Sequence, residues 1–167
     1  MGQPGELTLV THGPKETRAA AAQIATLLQP RDIVLLSGEL GSGKTVFVQG
    51  LAAGLGVNER VTSPTFTLAR RYAATIPLVH VDVYRLDRVQ ELFDLGLDEF
   101  GDDAVLAVEW GDAVSSHLPG DRLEVELAMT GPDRAKDDDR FVTMTLQGRS
   151  WWRRRDALLA MLTGVWQ

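Results

Sequence analysis

Ile33-Val34-Leu35-Leu36-Ser37-Gly38-Glu39-Leu40-Gly41-Ser42-Gly43-Lys44-Thr45 is the stretch that decides the fold of this chain. Its four opening residues form a continuous apolar run, the pattern of a strand buried on both faces of a parallel sheet. Glycines at 38, 41 and 43 let the backbone turn tightly, so that several N–H groups converge on one side, and the following helix adds the positive end of its dipole. Such a turn is built for phosphate. Lys44 stands where an ammonium reaches the outer phosphates of a nucleoside triphosphate, and Thr45 where a hydroxyl ligates Mg²⁺. Gly38, Glu39, Leu40, Gly41, Ser42, Gly43, Lys44 and Thr45 are therefore the expected nucleotide-binding residues. A chance match in a glycine-containing loop is the competing reading. The strand pattern before the loop and the helix pattern after it argue against chance.

Working outward, residues 7–11 alternate weakly as a first strand, and Gly13-Pro14 breaks it before an Ala-rich helix over 15–28. Downstream of the loop, residues 45–55 keep Val46, Phe47, Leu51 and Leu55 at helical spacing, with Gly54 and Gly56 as stop signals. Residues 62–66 read as a loop, and 67–72 as a strand that forms a hairpin with 76–84. A short helix is expected over 89–97, then a buried strand over 104–108 that ends at Glu109-Trp110. Residues 122–129 and 141–146 read as a late strand pair, and 153–162 as a final helix. The expected architecture is α/β: a P-loop NTPase-like mixed β-sheet flanked by helices, with parallel strands near the loop and hairpins outside. One domain is expected to span 1–167, since 167 residues are short for two ordinary cores.

Composition narrows the function. No cysteine is present, which excludes disulfides, thiolate metal sites and a cysteine nucleophile. His12, His80 and His117 lack metal-ligand spacing and read as structural. The N-terminal residues lack the basic region and apolar run of a secretory signal, and no run approaches the length of a membrane span. A cytoplasmic, soluble protein is expected. The net charge of −6 argues against coating nucleic acid by charge alone. Trp151-Trp152-Arg153-Arg154-Arg155 would suit an RNA contact, yet it also reads as the first turn of an amphipathic helix with a solvated basic edge, the reading preferred here. Consecutive arginines oppose the helix dipole there, so a partner for them is expected. The acidic run 137–139 reads as a solvated loop.

A phosphate loop that does chemistry also needs an acid at a neighbouring strand end and a residue to orient the attacking group. Asp82 and Glu109 each end an apolar strand, where such sheets border their ligand crevice; the alternative for either is an ordinary solvated carboxylate. A guanine-reading Asn-Lys-x-Asp element is missing, because the only asparagine, Asn58, precedes Glu59. An ATPase and a small-molecule kinase both stay open on these grounds, with a regulatory nucleotide-binding module as a third class. A kinase would need a cationic lid, for which Arg70, Arg71, Arg85 and Arg88 are the available side chains.

Four elements in order, the loop 38–45, Ser63-Pro64-Thr65-Phe66, His80-Val81-Asp82-Val83-Tyr84-Arg85-Leu86 and Glu109-Trp110, resemble the bacterial tRNA threonylcarbamoyladenosine biosynthesis ATPase family, TsaE, formerly YjeE. The likeness covers about 17–110. It implies an ATPase, with ATP and Mg²⁺ as cofactors, that assists the transfer of a threonylcarbamoyl group to the adenosine beside the tRNA anticodon. The transferase site would lie in TsaD and TsaB homologues, and tRNA would be met only through that complex. By the same resemblance Lys44 and the loop amides hold phosphates, Thr45 and Glu109 hold Mg²⁺, Asp82 serves hydrolysis, and residues 63–66, with the Thr65 hydroxyl, form a switch near the γ-phosphate. Which of Asp82 and Glu109 is the main metal ligand is left open. The chain departs from the family where Gly111-Asp112 follows Glu109-Trp110 in place of a small residue or proline and then Glu, leaving an acid one methylene shorter.

Overall fold

The computed structural model describes residues 5–64, 67–84, 90–92, 94, 100, 102–110, 112, 114–129 and 138–165. Among the described residues, seven strands and three long helices follow one another as β1 (Glu6–His12), α1 (Pro14–Ala25), β2 (Ile33–Ser37), α2 (Lys44–Leu55), β3 (Ala69–Tyr72), β4 (Leu78–Asp82), β5 (Val105–Glu109), β6 (Arg122–Met129), β7 (Asp139–Gln147) and α3 (Arg149–Val165). They form one mixed sheet in the order β1-β7-β6-β2-β5-β4-β3. The apolar run 33–36 is its centre. Strand β2 lies parallel to both β5 and β6, and β4 lies parallel to β5. Antiparallel pairs, β3 with β4, β6 with β7 and β1 with β7, sit outside the parallel core. The expected P-loop NTPase-like α/β architecture is therefore present.

Side chains of β2 alternate between two cores. Val34 and Leu36 join Ile24, Phe47, Leu51 and Trp151 on the side covered by the three helices. Ile33 and Leu35 join Val79, Val81, Leu106 and Val108 on the other. Period-2 alternation makes the consequence for the site immediate: His80, Asp82 and Glu109 project from the face that α2 covers, the face of Leu78, Val105 and Ala107. Register places Glu109 beside both Leu36 and Asp82.

Helix α2 runs against α1 at close range. A Cβ added at Gly50 would lie 2.6 Å from the Ala21 Cβ and nearer still to the Arg18 carbonyl, and one at Gly54 would lie 2.6 Å from the Ala25 Cβ. Gly54 is thus a contact residue inside the helix, which overturns its reading as a stop signal; Gly56, at φ 87°, ends the helix. Gly50→Ala is expected to destabilise the fold by about 1–3 kcal/mol through overpacking, despite the better helix propensity of alanine. Urea unfolding checks this through a lowered midpoint at unchanged slope.

The tail resolves the basic run. Helix α3 starts at Arg149, four residues earlier than expected for a helix opening at 153, because the Ser150 N–H donates to Asp121 Oδ2 at 3.2 Å and so gains an acid for its first turn. Trp151 is fully buried. Arg154 donates two bonds to Asp32, at 2.6 and 2.9 Å, and its guanidinium stacks 4.0 Å over the Trp151 ring. The expected partner is therefore internal, and the helix reading holds over the RNA reading for these two residues. In the acidic run, Asp139 belongs to β7 and accepts a 2.7 Å bond from His12 Nδ1, so it is no loop residue. Of the helix expected over 89–97, residues 90–92 and 94 are helical and the others lie outside the described residues.

Candidate functional site

The loop between β2 and α2 adopts the turn its glycines predict. Gly38 has φ 142°, and a Cβ there would press on the Leu127 carbonyl and lie 2.5 Å from Ser42 Oγ, so only glycine fits. The Ser42 N–H donates to the Glu39 carbonyl at 3.0 Å, closing the turn. Leu40 stands at the tip, 77% exposed. Lys44 opens α2 and is buried. Its Nζ donates to the carbonyls of Gly38, at 2.8 Å, and Glu39, at 3.0 Å, and lies 3.9 Å from the centre of the Trp110 ring. Burial pulls the Lys44 pKa below the ordinary lysine value, while Glu109, Asp82 and Asp112 act the other way. The ammonium thus lies in the field of three carboxylates, beside a loop whose amides suit an anion.

Both strand-end acids converge there. Thr45 Oγ1 donates to Glu109, 2.9 Å from Oε1 and 3.1 Å from Oε2. His80 Nε2–H donates to Glu109 Oε2 at 2.5 Å, with both side chains essentially out of solvent. Asp82 accepts from Ser63 Oγ at 2.8 Å and from the Tyr84 N–H at 3.0 Å. Leu40, Gly41, Gly43, Lys44, Thr45, Ser63, Asp82, Glu109 and Trp110 line one open cleft of about 380 Å³. Gly38 and Glu39 border a second cleft beyond Trp110, with Asp112 and Glu126. Loop, lysine, hydroxyl and two acids therefore share one cleft. Thr65 and Phe66 of the expected switch, with Arg85 and Arg88, lie outside the described residues. The other kinase-lid candidates are engaged elsewhere: Arg70 pairs with Glu59 at 3.3 Å and Arg71 with Asp103 at 2.8 Å.

Three contributions go beyond the sequence reading. His80, read as an isolated structural histidine, fixes one oxygen of Glu109; its position two residues before Asp82, hence on the same strand face, was the available signal. Trp110 takes the left-handed conformation, φ 62°, rare for a bulky residue, and so turns its ring over Lys44 and against Tyr84, with ring centroids 4.9 Å apart. Arg140 reaches the loop from β7, donating to the carbonyls of Ser42 at 2.9 Å and Gly41 at 3.3 Å. No local pattern marks it.

A central parallel strand running into a glycine turn and a Lys-Thr helix start, with acids at the ends of β4 and β5, places the protein in the P-loop NTPase class. Within that class the chain belongs to the TsaE family: the model described as "Threonylcarbamoyl adenosine biosynthesis protein TsaE" matches residues 11–137. Among its relatives, the tRNA threonylcarbamoyladenosine biosynthesis protein TsaE of Bacillus subtilis is 42% identical over 143 residues, covering 84% of this chain and 86% of the relative. The protein of the same name from Streptomyces coelicolor is 45% identical over 138 residues, covering 80% and 93%. A crystal structure of Bacillus subtilis YdiB superposes with a TM-score of 0.76 at 34% identity, covering 96% of this chain and 98% of that one.

Proposed function

We propose that this chain binds ATP with Mg²⁺ at the loop 38–45, hydrolyses it, and uses the cycle to drive a TsaD–TsaB transferase complex in tRNA threonylcarbamoyladenosine modification. The observation that carries the nucleotide reading is the convergence of Lys44, Thr45, Glu109 and Asp82 on one cleft under the loop. The family carries the pathway.

Thr45 and Glu109 would hold the metal: a hydroxyl and a carboxylate already in contact form a hard oxygen donor set of the kind Mg²⁺ takes, completed by phosphate oxygens and water. When bound, the ion would neutralise charge on the outer phosphates. Glu109 is kept in place for that role by His80. Lys44 would exchange its two carbonyl contacts for phosphate oxygens. Asp82, which lines the same cleft, would orient the attacking water and is itself oriented by Ser63 Oγ–H and the Tyr84 N–H. Ser63 belongs to the expected switch segment, so this bond links the segment to the hydrolytic acid. A ligand moves an assembly equilibrium only by its differential affinity for two states, and that link supplies a route for the γ-phosphate to be felt.

The experiment mixes the purified chain with a TsaD–TsaB complex and tRNA under ATP, a non-hydrolysable analogue or ADP. Expected are association that depends on the nucleotide, phosphate release, and repeated rounds of modification only with ATP. Phosphorylation of a small acceptor in place of release to water would support the kinase alternative. Modification that cycles equally well without the chain would sink the proposed role.

A further inference from the structure

We infer that Arg140 is a positioning residue that pre-shapes the phosphate loop from behind, an inference that rests on the ATP-binding reading above. Arg140 lies on β7, beyond the 11–137 span that the family model covers. Its Nε–H donates to the Ser42 carbonyl at 2.9 Å, Nη2–H to the Gly41 carbonyl at 3.3 Å, and Nη1–H to the Asp139 carbonyl at 2.7 Å. One planar guanidinium thus ties two consecutive loop carbonyls to the strand that supports them. Its rigid fork does this; a lysine ammonium presents a single point of charge.

The consequence follows from the geometry of the peptide unit. The Ser42–Gly43 peptide is trans, so a carbonyl held toward Arg140 turns the Gly43 N–H to the opposite side. Ser42 and Arg140 border a small cavity with Gly13, Pro14 and Thr17 and do not line the cleft with Lys44, Asp82 and Glu109, whereas Gly41, Gly43 and Val46 line both, so the Ser42–Gly43 peptide stands where the two meet. Arg140 therefore selects the peptide orientation in which a loop N–H is presented to an anion. Glycines make this necessary. Gly41 and Gly43 give the loop access to many conformations, and ordering them at the moment of binding would subtract from affinity.

The test compares wild type, Arg140→Ala and Arg140→Lys for binding of ATP and of inorganic tripolyphosphate by calorimetry, with amide hydrogen exchange of the ligand-free loop alongside. Arg140→Ala should weaken both ligands by about the same factor, roughly tenfold, raise KM far more than it lowers kcat, and speed exchange in residues 41–43. Arg140→Lys should lie between, and gives the comparison should the alanine variant fold poorly. Loss of ATP affinity with tripolyphosphate binding intact would overturn the inference, since Arg140 would then touch the nucleoside. Unchanged binding and exchange would overturn it too. A wild-type chain that binds neither ligand would instead sink the ATP-binding reading and this inference with it.

Discussion

Lys44→Ala is expected to weaken ATP binding by about a hundredfold, or about 3 kcal/mol, while leaving the protein folded. The magnitude follows from the loss of charge-assisted bonds to phosphate, each worth about 1.5–3 kcal/mol where the partner group is left unpaired. Folding should be spared because the ammonium is desolvated and gains little net stability in the ligand-free state, where its partners are the carbonyls of Gly38 and Glu39 and the Trp110 ring. Calorimetric titration of the folded variant checks it. Undiminished affinity would mean that the loop holds something other than phosphate.

The second large effect separates the two acids. Asp82→Ala should keep most of the nucleotide affinity but lose phosphate release by about a hundredfold or more, the usual range for removing a group that orients or deprotonates the nucleophile. Glu109→Ala should instead abolish the Mg²⁺-dependent tightening of ATP, since it removes the carboxylate that Thr45 Oγ1 contacts. This variant also strands buried His80, whose Nε2–H loses its acceptor, so a fall in thermal midpoint should accompany it. Glu109→Gln retains an amide oxygen as acceptor for His80 and separates the two consequences: stability should recover and the Mg²⁺ effect should not. ATP titrations with and without Mg²⁺, paired with phosphate-release rates, read all three variants. Reversed phenotypes would exchange the roles of the acids, and no change in either would make both bystanders.

Much of this site was legible because its chemistry is local. The apolar run 33–36, the glycines at 38, 41 and 43 and Lys44-Thr45 are contiguous, and each acts through its own backbone or the adjoining turn, so the fold class and the loop could be read before any contact was known. Asp82 and Glu109 were legible for a related reason: a carboxylate that ends an apolar strand stays at the sheet margin whatever the strand order, and parallel packing of β4 and β5 then brings the two acids into register. What only the tertiary structure decided depends on partners distant in the chain. The choice of β7 as neighbour of β1, the seating of Gly50 on α1, the burial of Arg154 on Asp32 and the reach of Arg140 to the loop each join segments tens of residues apart or more. His80 belongs with these, since its ring gained a role only when β5 packed beside β4 and brought Glu109 against it. Periodicity and turn chemistry describe a residue's relation to its own segment; which remote group shares its surroundings is set by sheet order and helix packing, and that geometry exists only once the chain has closed on itself.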